Sequence, residues 1–149
     1  MRTVELLPDD RLECGVRELW SRLHREGLPS LAAHPHPTNR PHLTLLRARS
    51  LAGLPPLRLP VAVTLGPARM LGRAFVRLVE PTAELRELHA RAYAALAHAD
   101  PWPPPCDFVP HVSLALRARA PLWEPLPAQQ GNLVAARSYD SETRTVTVL

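Results

Sequence analysis

The chain has no lysine. All 18 of its basic residues are arginine, set against 14 acidic ones for a formal charge of +4. Eighteen prolines and many alanines accompany that bias, so coding style rather than phosphate recognition accounts for most of the arginine total. A charge this small suits a small anionic ligand and excludes a surface built to coat a polynucleotide. Cysteine is nearly missing too. Cys14 and Cys106 are the only two, which excludes a disulfide framework and paired-thiolate metal spacing, and free thiols in a reducing compartment explain both. Aromatics number three Trp, two Tyr and two Phe, too few for the interleaved basic and aromatic stripe of a single-strand binder. No apolar run reaches the ~18 residues of a membrane span. Glu5, Asp9 and Asp10 stand where a secretory leader would be basic and then apolar, so a cytoplasmic location is expected. At 149 residues the chain fits one domain, residues 1–149, able to bury about two-thirds of its unfolded surface.

What is present is a repeated word. Pro41-His42-Leu43-Thr44-Leu45 and Pro110-His111-Val112-Ser113-Leu114 each read Pro, His, aliphatic, hydroxyl residue, aliphatic. At the two-residue period of a strand, His and the hydroxyl share one face and the aliphatics share the other. Two such strands side by side present two imidazoles and two hydroxyls to one cleft. That set suits a phosphate ester without a metal: one histidine takes a proton, one gives it, and Thr44 and Ser113 hold the phosphoryl oxygens.

Each half of the chain carries its word in the same setting. Val4 to Leu7 predicts a strand. Asp9 or Asp10 then caps a helix with the apolar stripe Leu12, Val16, Leu19, Trp20 and Leu23, ended by Gly27 and Pro29. A Pro-broken loop, 32–41, leads to a strand over about 42–48. Strands over 61–65 and 73–79 follow, with a turn between. Thr82 caps a second helix with the stripe Leu85, Leu88, Ala92, Ala95 and Leu96, reaching about His98. Pro101, Pro103, Pro104 and Pro105 then lead to a strand over about 109–117. Residues 120–131 allow at most a short helix, and strands near 133–138 and 143–149 flank a turn at Asp140-Ser141-Glu142. The echo of helix, Pro-rich loop and motif strand argues for two related lobes meeting at a cleft.

Other residues have weaker claims. His34, His36 and His42 invite a metal reading, but Pro35 and Pro37 break the strand that would align them and no acid or cysteine lies near, so no metal is expected. A place at the cleft rim suits His34, His36 and Asn39 better. His24, His89 and His98 fall on predicted helices at solvated positions. Period-two counting sets Arg117 on the face of His111 and Arg47 opposite His42, which makes Arg117 the better phosphate ligand. Arg40, directly before Pro41, reaches toward the cleft mouth. Arg137 and Tyr139 lie on a strand expected to border the cleft, where Tyr139 is placed to stack on a base.

On its two tetrapeptides the chain resembles the 2H (two-histidine) phosphoesterases, in the branch of RNA 2′,3′-cyclic phosphodiesterases and 2′-5′ RNA ligases. Val4-Glu5-Leu6-Leu7-Pro8-Asp9, Gly27-Leu28-Pro29-Ser30-Leu31 and Val134-Ala135-Ala136-Arg137-Ser138-Tyr139-Asp140 extend the likeness over nearly the whole length. The resemblance implies an α+β fold of two pseudo-symmetric antiparallel lobes with outer helices around a central cleft. It also implies hydrolysis of a cyclic phosphate to a 2′-phosphate, with His42 as the acid on the leaving oxygen and His111 as the base on water. No cofactor is implied. The expected partner is a small nucleotide or an RNA 3′-end. No membrane or protein partner is implied, and the chain is expected to act as a monomer. The alternatives are 2′-5′ RNA ligation at the same site, or a nucleotide- or RNA-end-binding module without turnover.

Overall fold

Val4 and Leu6, both without exposed surface, turn one face of strand β1 (Arg2–Pro8) into the core, and Asp9 ends the strand and starts helix α1 (Asp10–Arg25). The computed structural model describes residues 1–119 and 123–149. Asp9 does two jobs with one carboxylate. Its Oδ1 accepts the Leu12 N–H at 2.9 Å as an N-cap, and its Oδ2 accepts the Asn132 N–H at 2.7 Å. The Leu12 cap, more than any other contact, holds this carboxyl below the usual carboxylate range. Helix α1 buries Leu12, Val16, Trp20 and Leu23 as the periodicity predicts. It crosses the sheet at Gly131, where a Cβ would collide with the Leu12 side chain, so only glycine allows the approach.

The remaining elements are β2 (Leu43–Ala48), β3 (Val61–Leu71), β4 (Ala74–Val79), helix α2 (Ala83–Ala95), β5 (His111–Ala115), β6 (Gln129–Asp140) and β7 (Thr145–Val148). All pairings are antiparallel, in the order β1-β2-β5-β4-β3-β6-β7, and β1 also pairs with β6. The fold is therefore α+β, as expected, but the two lobes are halves of one hydrogen-bonded sheet. Strand β6 serves both, its first half on β3 and its second on β1. The halves meet again at a single registered pair, Leu43 on β2 with Val112 on β5. Among the described residues β2 and β5 form no other registered pair.

Three boundaries differ from the reading of the sequence. Strand β3 continues to Leu71 because Gly66 and Pro67 form a bulge rather than a turn, where proline's missing N–H costs nothing. Arg77, 4% exposed, pins that bulge by donating from Nε to the Gly66 carbonyl at 2.9 Å and from Nη2 to the Pro127 carbonyl. The hairpin turns instead at Gly72, with φ of +61°. Strand β5 is shorter than 109–117, and β6 begins at Gln129, inside the stretch read as loop or short helix. Of that stretch, residues 120–122 lie outside the described residues.

His89 corrects a further expectation. It was placed on a solvated helical face, yet it has no exposed surface and stacks on Phe108 with ring centroids 4.1 Å apart. The α2 stripe is wider than its leucines alone suggest. Among the described residues neither ring nitrogen has a hydrogen-bond partner. Burial lowers its pKa below the ordinary imidazole value of 6.5, and the nearby Pro103 carbonyl offsets only part of that. The unfolded chain thus takes up this proton near pH 6.5 while the folded chain does not. Stability is constant on this account above that value and falls as pH drops below it, by at most about 1.4 kcal/mol per pH unit. Chemical denaturation of wild type and His89→Leu between pH 5 and 8 checks this, and the variant is expected to show the flatter profile.

Candidate active site

Both motif histidines are oriented by the same local device. His42 Nδ1 lies 2.7 Å from the Arg40 carbonyl, and His111 Nδ1 lies 2.7 Å from the Val109 carbonyl. A carbonyl only accepts, so in each ring Nδ1 carries the hydrogen and Nε2 is the nitrogen turned away from the backbone. This explains the proline of the repeated word. Pro41 and Pro110 hold the residue before them extended, so that its carbonyl sits two positions upstream of the ring it orients.

The Leu43–Val112 pair sets the register. Those two side chains are buried, and counting outward in an antiparallel ladder puts His42 across from Ser113 and Thr44 across from His111. All four are partly exposed on the opposite face. Among the described residues, neither the Thr44 nor the Ser113 hydroxyl is taken up by an intramolecular hydrogen bond. The two words are therefore brought together on one surface, two imidazoles and two hydroxyls in a crossed square.

Glu5 joins them, and the reading of the sequence missed it. It is 5% exposed on β1, opposite Thr44 on one side and Arg137 on the other. Its Oε2 lies 3.2 Å from His42 Nε2, and its Oε1 accepts from Arg137 Nε at 2.8 Å. Arg137 also donates from Nη2 to the Thr38 carbonyl at 2.8 Å. One cross-strand row thus runs Leu78, His111, Thr44, Glu5, Arg137 and Val148 over six strands. As placed, His42 faces acceptors at both nitrogens, the Arg40 carbonyl at Nδ1 and Glu5 at Nε2. His111 Nε2 has no partner among the described residues. A lone acid amid Val4, Leu6 and Leu7 was the available signal: alternation alone puts Glu5 on the face away from the core.

The other expected residues divide. Arg137 is 8% exposed and committed to Glu5, so it supports the site from beneath. Tyr139 lies two residues along β6 on the same face, half-buried and opposite Thr3. The Arg40 side chain donates to Glu13 Oε1 at 2.6 Å, which ties the motif loop to α1. Arg117 lies exposed beyond the end of β5, where period-two counting no longer applies, because a bulge between Ser113 and Ala115 adds a residue first. Arg47 moves the other way. A bulge at Leu45 pairs Leu46 with Val4 and Arg47 with Thr3, so Arg47 lies on the face of His42 and Thr44, not opposite them. His36 Nδ1 is 2.6 Å from Thr38 Oγ1, and Asn39 donates to the Leu31 and His34 carbonyls, which makes 31–39 a self-bonded loop. Among the described residues no cluster of three or more His, Cys, Asp or Glu is placed to hold a metal.

The single antiparallel sheet with its two helices is a fold shared with several solved structures. Among solved structures, a phosphoesterase superposes with a TM-score of 0.62 at 16% identity, covering 99% of this chain and 92% of that one. E. coli LigT superposes with a TM-score of 0.58 at 20% identity, covering 99% and 93%. The MHV ns2 PDE domain gives 0.59 at 14%, covering 91% and 90%. No family model matches the chain, and no curated protein sequence matches it. No helix among the described residues is long and apolar enough to cross a membrane.

Proposed function

We propose that this protein is a phosphodiesterase that opens a cyclic phosphate, at an RNA 2′,3′-cyclic end or in a small cyclic nucleotide, to a 2′-phosphate by two-histidine acid–base catalysis. The observation that carries the reading is the matched pair of Nδ1-anchored imidazoles flanked by two unengaged hydroxyls. The solved structures of the same fold, among them a phosphoesterase and a PDE domain, agree with it.

In the proposed reaction His111 Nε2 takes a proton from water, and the water oxygen bonds to phosphorus as the P–O3′ bond breaks. His42 Nε2 gives its proton to the departing 3′-oxygen. Thr44 and Ser113 donate to the non-bridging oxygens as charge grows on them. The roles follow from the difference between the rings: His42 has a carboxylate at Nε2 and His111 has an open lone pair. Arg137 offsets the charge of Glu5, so the phosphate does not meet an unbalanced anion. One base and one acid imply a bell-shaped rate profile whose two apparent values belong to the pair.

The test is turnover of 2′,3′-cyclic AMP by wild type with EDTA present, with the product phosphate identified. Production of the 2′-phosphate that survives chelation is expected. Turnover that EDTA abolishes, or a 3′-phosphate product, would overturn the mechanism. Joining of a 2′,3′-cyclic end to a 5′-hydroxyl in preference to hydrolysis would replace it with ligation.

A further inference from the structure

Past Leu46 the partner of β2 is no longer β5. It is the loop before the second motif: Arg47 N–H donates to the Trp102 carbonyl at 2.8 Å, and Trp102 N–H donates to the Arg47 carbonyl at 2.9 Å. Arg49 N–H extends the contact to the Ala99 carbonyl at 2.9 Å. Residues paired in this way project to the same side of the sheet. Trp102 therefore stands beside Arg47 on the face that carries His42, Thr44 and Glu5. The same row continues through Thr3 to Tyr139.

Trp102 is 49% exposed. The other two tryptophans are occupied: Trp20 is 3% exposed and donates to the Ser113 carbonyl, and Trp123 packs edge-on against Phe75 with the Arg22 guanidinium 4.3 Å over its ring. Among the described residues Trp102 has neither an aromatic nor a cationic partner, and the Arg47 guanidinium makes no ion pair. Two unengaged recognition groups thus share one edge of the sheet face that carries His42 and Thr44. Their row is offset from the Thr44–Glu5 row by the two-residue step along β1 from Glu5 to Thr3, about 7 Å. That offset is about the span of a ribose.

We infer that Trp102 is the stacking platform for the nucleobase of the substrate, with Arg47 beside it as the cation that completes the subsite. This rests on the cyclic phosphodiesterase reading and adds to it a substrate class: a nucleotide whose base is held, not a bare sugar cyclic phosphate. A ring face accepts any base, so the subsite selects for a base more than among bases.

The experiment compares wild type, Trp102→Ala and Trp102→Phe on 2′,3′-cyclic AMP and on ribose 2′,3′-cyclic phosphate, which lacks the base. Trp102→Ala is expected to raise KM for cyclic AMP about tenfold, about 1.4 kcal/mol, with kcat changed far less. Trp102→Phe is expected to recover most of the loss, and the wild-type advantage is expected to vanish on the base-free compound. Equal KM for cyclic AMP in wild type and Trp102→Ala would overturn the platform and leave the hydrolytic reading intact. If wild type turns over neither compound, the hydrolytic reading fails, and the platform is then read by tryptophan fluorescence with adenosine 2′-monophosphate. Quenching that inorganic phosphate does not produce and that Trp102→Phe abolishes supports it; no quenching overturns it.

Discussion

His111→Ala is expected to lower kcat for 2′,3′-cyclic AMP by about 10³-fold, with KM changed little. The ring is anchored only through Nδ1 to the Val109 carbonyl, and its Nε2 carries no structural hydrogen bond, so its loss removes a proton acceptor and little else. His42→Ala is expected to lower kcat by a similar factor, but with a second consequence, because it also removes a partner of the buried Glu5. The two variants are therefore distinguishable by thermal melting: His111→Ala stays near wild type, and His42→Ala melts lower. The alkaline limb of the rate profile, which reports the acid, should disappear with His42, and the acidic limb, which reports the base, with His111. Loss of the same limb in both variants would contradict the assignment of roles.

Arg137→Leu carries the second large effect, on stability. Glu5 and Arg137 face each other across β1 and β6, 5% and 8% exposed. Removing the guanidinium leaves a buried carboxylate with only His42 to compensate it, and a penalty of about 3 kcal/mol is expected. The double variant Glu5→Leu/Arg137→Leu removes both charges and is expected to regain most of that loss, since two apolar side chains of fitting size replace a buried pair at little net cost. Its activity is not expected to return. Without Glu5 the His42 ring loses its Nε2 partner, and kcat should remain about tenfold or more below wild type. Urea melts of Arg137→Leu and of the double variant, set beside their kcat values, check both halves. A double variant as unstable as Arg137→Leu would show that the pair is needed for folding rather than for holding His42.

Much of the site was legible without coordinates because its signal is local. Each histidine shares a strand face with a hydroxyl two residues on, and such a word is written within five consecutive residues. The helix stripes were legible for the same reason, as was the Asp9 cap. His89 was misread because helical periodicity marks a face, while whether that face is covered depends on the 102–108 loop, and there Phe108 covers it. Glu5 was overlooked for a related reason: an acid in a strand is ordinary until the strands on either side are known, and here they bring Thr44 and Arg137.

Arginine placement shows where the reasoning from sequence ends. Period-two counting assumes an unbroken ladder, and a bulge adds one residue that changes the face of everything after it. One bulge at Leu45 and another after Ser113 were enough to bring Arg47 to the active face and to end the count before Arg117. By itself the sequence determined two histidine-and-hydroxyl words and most of the helices and strands that carry them, because those depend on neighbours a few residues apart. Only the tertiary structure decided that the two words cross at Leu43 and Val112, that Glu5 and Arg137 lie beneath His42, and that Trp102 takes over the edge of β2. Each of those is a choice of register between distant segments, set by which apolar faces pack together, and no local pattern encodes it.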